Sequence, residues 1–428
     1  MMAPLFPRPI SQTVRGIHWS ASTDHSSALG AWPYWAEQLR AMGIGWVKLL
    51  DDGNGSSVQL CMALLTMGVI PIVRLYRPRP NPGHLPAAHM DTVRRLVGIG
   101  VRYFEPNNEP NLADEWDGDK WAQTTWQERV QLAVEYWLSD AVSIIEAGGL
   151  PGFPALAQCA HKMTETAIGS IPFYEEAFRH LAELHKEAAR DLFDAGAWLA
   201  VHDAVLNHCY QDNSAWHFEY PYDPICQATD PGKTILQDDC SLIGHRAAEK
   251  LLQSHLGADL HPPVISTEGG VFMPKGGWTQ PDTRYPGYDY QGQATRTVAM
   301  FDWLAPNAPE VYAMCPWLIA NERMGHNNPA WTEDAWYHKD VMRPVVDAMR
   351  ASVPVPPTTE PDIREEAWNQ AGQAYNPDAA FQKYATANAL GVPMTPEFDV
   401  GTIRAQGFAN AIVYCTIGDW AKIHEMPW

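Results

Sequence analysis

Val69-Ile-Pro-Ile-Val-Arg-Leu75 is a nearly continuous apolar run. Runs that are apolar at consecutive rather than alternate positions mark strands buried on both faces, the habit of parallel sheets. Working outward, seven further strand-like runs occur before residue 322, at 14–19, 46–50, 103–106, 152–156, 197–202, 264–267 and 311–317. Most are followed by a helix-length segment. Positions 31–42, 126–146 and 173–193 are amphipathic helix candidates, the first with Trp32, Trp35, Leu39 and Met42 at helical spacing. Strand and helix alternating eight times is the pattern of an α/β fold closed as a (β/α)8 (TIM) barrel, expected over residues 1–350. The fifth strand fits least well, because Gly149-Leu-Pro-Gly-Phe-Pro154 is rich in strand-breaking residues.

Beyond the barrel, the prolines of Ser352-Val-Pro-Val-Pro-Pro-Thr-Thr-Glu-Pro361 suit an extended spacer, giving a linker at 351–361. Residues 362–428 then form a small C-terminal accessory module with a helix at 363–373 and a strand at 407–415. Binding and buttressing are equally open as its role.

The 428 residues carry a net charge of -20, from 30 Lys and Arg against 50 Asp and Glu, which repels nucleic-acid phosphates and anionic lipid. No apolar window is long enough to span a membrane. The 18 Trp and 16 Tyr are more telling, since aromatic faces stack on sugar rings, although most must pack the core. Seven cysteines without a Cys-x-x-Cys pair argue against a zinc knuckle and leave room for one or two disulfides. The amino terminus lacks the apolar core of a signal peptide, which suits either a cytoplasmic protein or an extracellular one whose leader has been removed. Oligomeric state is open.

Two segments carry the chemistry. Tyr103-Phe-Glu-Pro-Asn-Asn-Glu-Pro-Asn111 and Val264-Ile-Ser-Thr-Glu-Gly-Gly270 each deliver a glutamate at the end of a strand. Cleaving a glycosidic bond passes through an oxocarbenium-like transition state. One carboxylic acid must protonate the leaving oxygen while a carboxylate faces the anomeric carbon. Glu109 stands between Asn108, an amide donor, and Pro110, which restricts the backbone, whereas Gly269 and Gly270 let the chain turn sharply after Glu268. Other strand ends converge on the same barrel face: His18 and Trp19, Lys48 and Asp51, Arg74 and Tyr76, His202 and Asp203, and Trp317. Glu105 either faces the barrel interior or anchors Arg74, since a buried carboxylate needs such a partner. Three long connections, 211–240, 271–291 and 321–338, carry further aromatics, Trp278 among them, as candidate sugar-stacking walls.

An Asn-Glu-Pro after a fourth strand, with a Glu ending a seventh, resembles clan A of the retaining glycoside hydrolases, its family 39 and family 5 members above all. By that resemblance Glu109 is the general acid/base and Glu268 the nucleophile of a retaining β-glycosidase active in polysaccharide degradation. Trp317, in Cys315-Pro-Trp-Leu-Ile-Ala-Asn321, then floors the subsite of the sugar to be cleaved. The clan's strand-six His-x-Tyr is incomplete, because Val201-His-Asp-Ala204 supplies His202 but places Ala204 where the tyrosine belongs. His208-Cys-Tyr210 offers a second match, making Tyr210 a candidate. The arginine usual near the second strand is replaced by Lys48, with Arg74 a possible substitute. The expected partner is a carbohydrate, with no cofactor.

Two other functions compete. A metal-dependent hydrolase would present His-x-His on its first strand, where this chain has Ile17-His-Trp-Ser20, and no His-Glu-x-x-His occurs, so no metal is implied. A noncatalytic carbohydrate-binding barrel would have no need of both glutamates.

Overall fold

The computed structural model describes residues 6–274, 282–321, 333–338, 341–353 and 379–428. The chain divides into two compact units, 1–353 and 354–428. In the first, eight parallel strands follow chain order in one sheet: β1 Gly16–His18, β2 Trp46–Asp51, β3 Ile70–Leu75, β4 Tyr103–Glu105, β5 Leu150–Phe153, β6 Trp198–Ala204, β7 Val264–Gly270 and β8 Val311–Met314. A parallel bridge between Arg15 and Met314 brings β8 back to β1, and the Met314 N–H donates to the Val14 carbonyl at 3.0 Å. The expected (β/α)8 barrel is present.

Its interior follows the two-residue period of strands. Trp46, Tyr103 and Trp198 fill the amino-terminal end edge to face, with centroids 5.5 and 5.8 Å apart along the row. The Trp46 indole donates to the Thr13 carbonyl and the Tyr103 hydroxyl to that of Pro7, so the chain before β1 plugs this end. Ile72, Ala200, Ile265 and Ala313 belong to the same inner cluster. A second apolar layer lies between the strands and the outer helices.

The segment rich in strand breakers is β5 itself, two residues ahead of the expected 152–156. Gly152 is there for space: a Cβ would lie 2.8 Å from the Trp198 ring. The Trp198 and Trp137 indoles donate to the carbonyls of Leu150 and Gly152, tying the strand to its neighbours. The helix Trp126–Glu146 starts where expected, fixed by a capping box between Thr125 and Glu128. The expected helix at 173–193 is instead two, Ser170–Leu184 and Lys186–Ala195, broken at His185, whose φ of -137° and ψ of 24° leave the helical region.

The chain just after β6 is tied to the long connection at 271–291. The Asn207 amide exchanges hydrogen bonds with the Asp282 backbone at 2.8 and 2.9 Å, and the His208 ring lies 3.2 Å from the Asp282 carboxylate. Phe218, Tyr220, Tyr285 and Trp336, offered as sugar-stacking candidates, are buried. All seven cysteines are free thiols.

The second unit holds the helix Ala380–Ala387 and an antiparallel meander of β9 Phe398–Val400, β10 Ile403–Gly407, β11 Ile412–Thr416 and β12 His424–Met426. The strand expected at 407–415 is a turn for its first part. Gly407 pairs with Ile412, and the Phe408 N–H donates to the Ala411 carbonyl. The expected linker from 354 onward and the helix at 363–373 lie outside the described residues.

Candidate active site

One period above the apolar layer, the inward positions become polar. His18 follows Gly16, Lys48 follows Trp46, Arg74 follows Ile72, Glu105 follows Tyr103, and His202 follows Ala200. Strand alternation alone would send Glu268 outward, because Ile265 and Thr267 face in. A register shift between Val201 and His202 instead pairs His202 with Glu268 on the adjacent strand, so that Thr267 and Glu268 both point into the barrel. Ser266 fills the irregularity: its hydroxyl accepts from the Asp203 N–H at 3.1 Å and donates to the Glu268 carbonyl at 2.8 Å.

Glu268 lies among cations. Its Oε1 is 2.9 Å from Lys48 Nζ, 3.6 Å from His18 Nε2 and 3.7 Å from an Arg74 nitrogen. Burial pushes the Glu268 carboxyl up, but Lys48, His202, His18 and Arg74 together hold it well below the usual carboxylate range. Lys48 has no exposed side-chain surface and is shared: its Nζ is also 2.8 Å from Glu105 Oε2, while the Thr267 hydroxyl donates to Glu105 Oε1 at 2.8 Å. Burial first, then Lys48, drives the His18 pKa well down, and its ring centroid lies 4.4 Å from that of Trp317.

Glu109 reaches the same basin from the β4 loop. Its backbone is left-handed, with φ of 39°, a conformation that costs a non-glycine residue on the order of 1–2 kcal/mol. The loop is held by the Glu109 N–H donating to the Ala155 carbonyl at 2.8 Å and the Leu112 N–H donating to the Glu109 carbonyl at 2.9 Å. The result aims the carboxyl at His202, whose Nδ1 is 2.9 Å from Glu109 Oε1. His202 thus touches one glutamate and is the ladder partner of the other. Burial lowers the His202 pKa, but Glu268 and Glu109 outweigh it and the net shift is upward. Neither carboxyl is walled off, the Glu109 and Glu268 side chains being 24% and 17% exposed.

The remaining candidates divide. Trp317 stands over the site, half-buried, with its backbone N–H donating to the Gly269 carbonyl at 3.1 Å and a cis peptide bond to Leu318. Asn108 and Arg74 are present but occupied, both contacting Glu115 Oε1, at 3.0 and 3.1 Å. Glu115, rather than Glu105, is therefore the close partner of Arg74, and Glu105 holds Lys48. Trp19 does not belong to the site: it is 1% exposed and packs edge to face on Trp35, on the helix side of the wall. Neighbouring residues on a strand face opposite ways, so His18 inward sends Trp19 outward. Tyr210 lies in a hairpin, Tyr210–Asp212 with Ala215–His217, stacked on His217 at 4.6 Å; the Glu268 carboxylate is held by Lys48 instead. Asp51 caps the next loop and helix, accepting from the Gly53, Gly55 and Ser57 N–H groups. Trp278 lies outside the described residues.

Sequence reasoning undervalued Lys48 and missed Glu115. The available signal was Lys48 at an inward position of an otherwise apolar strand, which only a buried anion tolerates.

No model of a known protein family matches the chain, and neither does any curated protein. Among solved structures it is similar to a family 39 glycoside hydrolase from Bacteroides cellulosilyticus WH2, at 10% identity and a TM-score of 0.45, over 96% of this chain and 72% of that one. It is also similar to fungal β-1,4-galactanases, at 11% identity and a TM-score of 0.47, over 80% of this chain and 99% of that one. A family 1 β-glucosidase from Thermotoga maritima is a further match, at 10% identity and a TM-score of 0.39, over 76% of this chain and 85% of that one. At such identities the function has to be read from the site.

Proposed function

We propose that the chain is a glycoside hydrolase that cleaves β-glycosidic bonds by retaining double displacement. The observation that carries this reading is the unequal placing of two partly exposed glutamates in one basin. Glu268 is held ionised by Lys48, Arg74 and its other cationic neighbours, while Glu109 contacts His202. Unlike environments for two carboxyls divide the acid from the nucleophile.

In the first step the Glu268 carboxylate attacks the anomeric carbon as Glu109 gives its proton to the leaving oxygen. In the second, Glu109 takes a proton from water, which displaces Glu268 and restores the free enzyme. His202, hydrogen-bonded to Glu109, keeps that carboxyl aimed through both steps. Trp317 offers an aromatic face for the sugar bound against Glu268.

The test is hydrolysis of a panel of aryl β-glycosides and polysaccharides by the parent and by Glu268→Gln. Turnover of the best substrate should fall by about 10⁴-fold or more, as for loss of a covalent nucleophile. The anomer released first, followed by NMR, should match the substrate. A variant as fast as the parent removes Glu268 from the mechanism, and an inverted product replaces displacement by direct attack of water.

A further inference from the structure

The break at His185 does more than end a helix. In an uninterrupted helix, positions 180 and 185 would point about 140° apart. The non-helical backbone at His185 swings its ring round, and His180 Nε2 and His185 Nε2 each come to 2.7 Å from one atom, Oε1 of Glu135 on the helix Trp126–Glu146. Each residue offers one ligand atom, and all three atoms lie within 4.8 Å of one another. The nearby arginine is already committed: Arg179 pairs with Glu176 and Glu183, and among the described residues no Lys or Arg pairs with Glu135.

We infer that Glu135, His180 and His185 form a zinc-class metal site on the outer helix ring, remote in the fold from the barrel mouth. Two imidazole nitrogens and a carboxylate oxygen are a donor set that first-row divalent ions of the zinc type take up. Tetrahedral coordination at ordinary bond lengths separates ligand atoms by about 3.3 Å, so each imidazole nitrogen needs to move only about half an ångström further from Glu135 Oε1 to admit the ion. His180 is nearly covered, its side chain 10% exposed, whereas those of His185 and Glu135 are 31% and 41% exposed, which leaves the outer coordination position to water. Bound metal would clasp the helix Trp126–Glu146 to the broken pair that follows β5.

Equilibrium dialysis of the chelator-treated full chain against Zn²⁺ tests this, with Co²⁺ as a spectroscopic stand-in. One equivalent should bind, Co²⁺ should give the intense visible absorption of a four-coordinate ion, and metal should raise the Tm. His185→Gln and Glu135→Gln, both changes at partly exposed positions, should each weaken binding by about tenfold or more while the far-UV circular dichroism stays that of the parent. No bound equivalent in the parent, or equal affinity in both variants, overturns the assignment.

Discussion

Replacing Lys48 with methionine keeps most of the side-chain volume and removes the charge on which the site is organised. Lys48 Nζ lies 2.8 Å from Glu105 and 2.9 Å from Glu268, and its side chain is fully buried. At an effective dielectric constant of about 20, a unit pair at that spacing interacts by about 6 kcal/mol, an upper figure because His18 and Arg74 still face Glu268 after the change. Since one pKa unit corresponds to about 1.4 kcal/mol, even a quarter of that energy moves the Glu268 carboxyl up by about one unit. Lys48→Met should therefore shift the acidic limb of the kcat/KM against pH profile upward by about one pH unit or more. Leaving Glu105 buried with only the Thr267 hydroxyl should also cost about 3–5 kcal/mol of stability. The double variant Lys48→Met with Glu105→Gln separates the two effects: stability should recover in part, and the displaced acidic limb should remain. Urea titration and the pH profile measure them independently. An unchanged acidic limb in Lys48→Met would refute the idea that Lys48 sets the charge on Glu268.

Three further outcomes are expected. Buried His245 sits between Asp203, at 2.7 Å, and Glu310, at 3.2 Å; burial lowers its pKa, but these carboxylates raise it to about 9. A folded pKa above the unfolded value of about 6.5 gives stability that is complete below pH 6.5 and lost as pH rises towards 9, so urea midpoints should fall across that window in the parent and less in His245→Gln. Gly152→Ala places a methyl 2.8 Å from the Trp198 ring and should cost about 1–3 kcal/mol in urea unfolding, whereas a neutral result would mean the β5 and β6 packing is looser than described. Ser266→Ala removes the two hydrogen bonds that hold the irregularity before Glu268, and should cost about 1–2 kcal/mol of stability and lower kcat more than it changes KM.

The sequence by itself determined the periodic part of the protein. Eight apolar runs spaced by helix-length segments give a parallel sheet covered on both faces, the eightfold repeat of strand and helix is the pattern of a closed barrel rather than an open sheet, and such barrels place strand ends on one functional face. The helix Trp126–Glu146 was legible to the residue because its capping box is a local signal. Glu109 and Glu268 were legible as strand-end carboxyls, and alternation could have separated His18 from Trp19. Tertiary structure decided what depends on a neighbour distant in the chain. Gly152 is a strand residue because Trp198 needs the space, and Lys48 is a site residue because Glu105 and Glu268 arrive from two other strands. Glu268 faces inward through a register shift against β6, and His180 meets His185 through a helix break. Pattern and propensity act over a few residues, whereas buried charge and close packing are settled by which strands and helices come into contact.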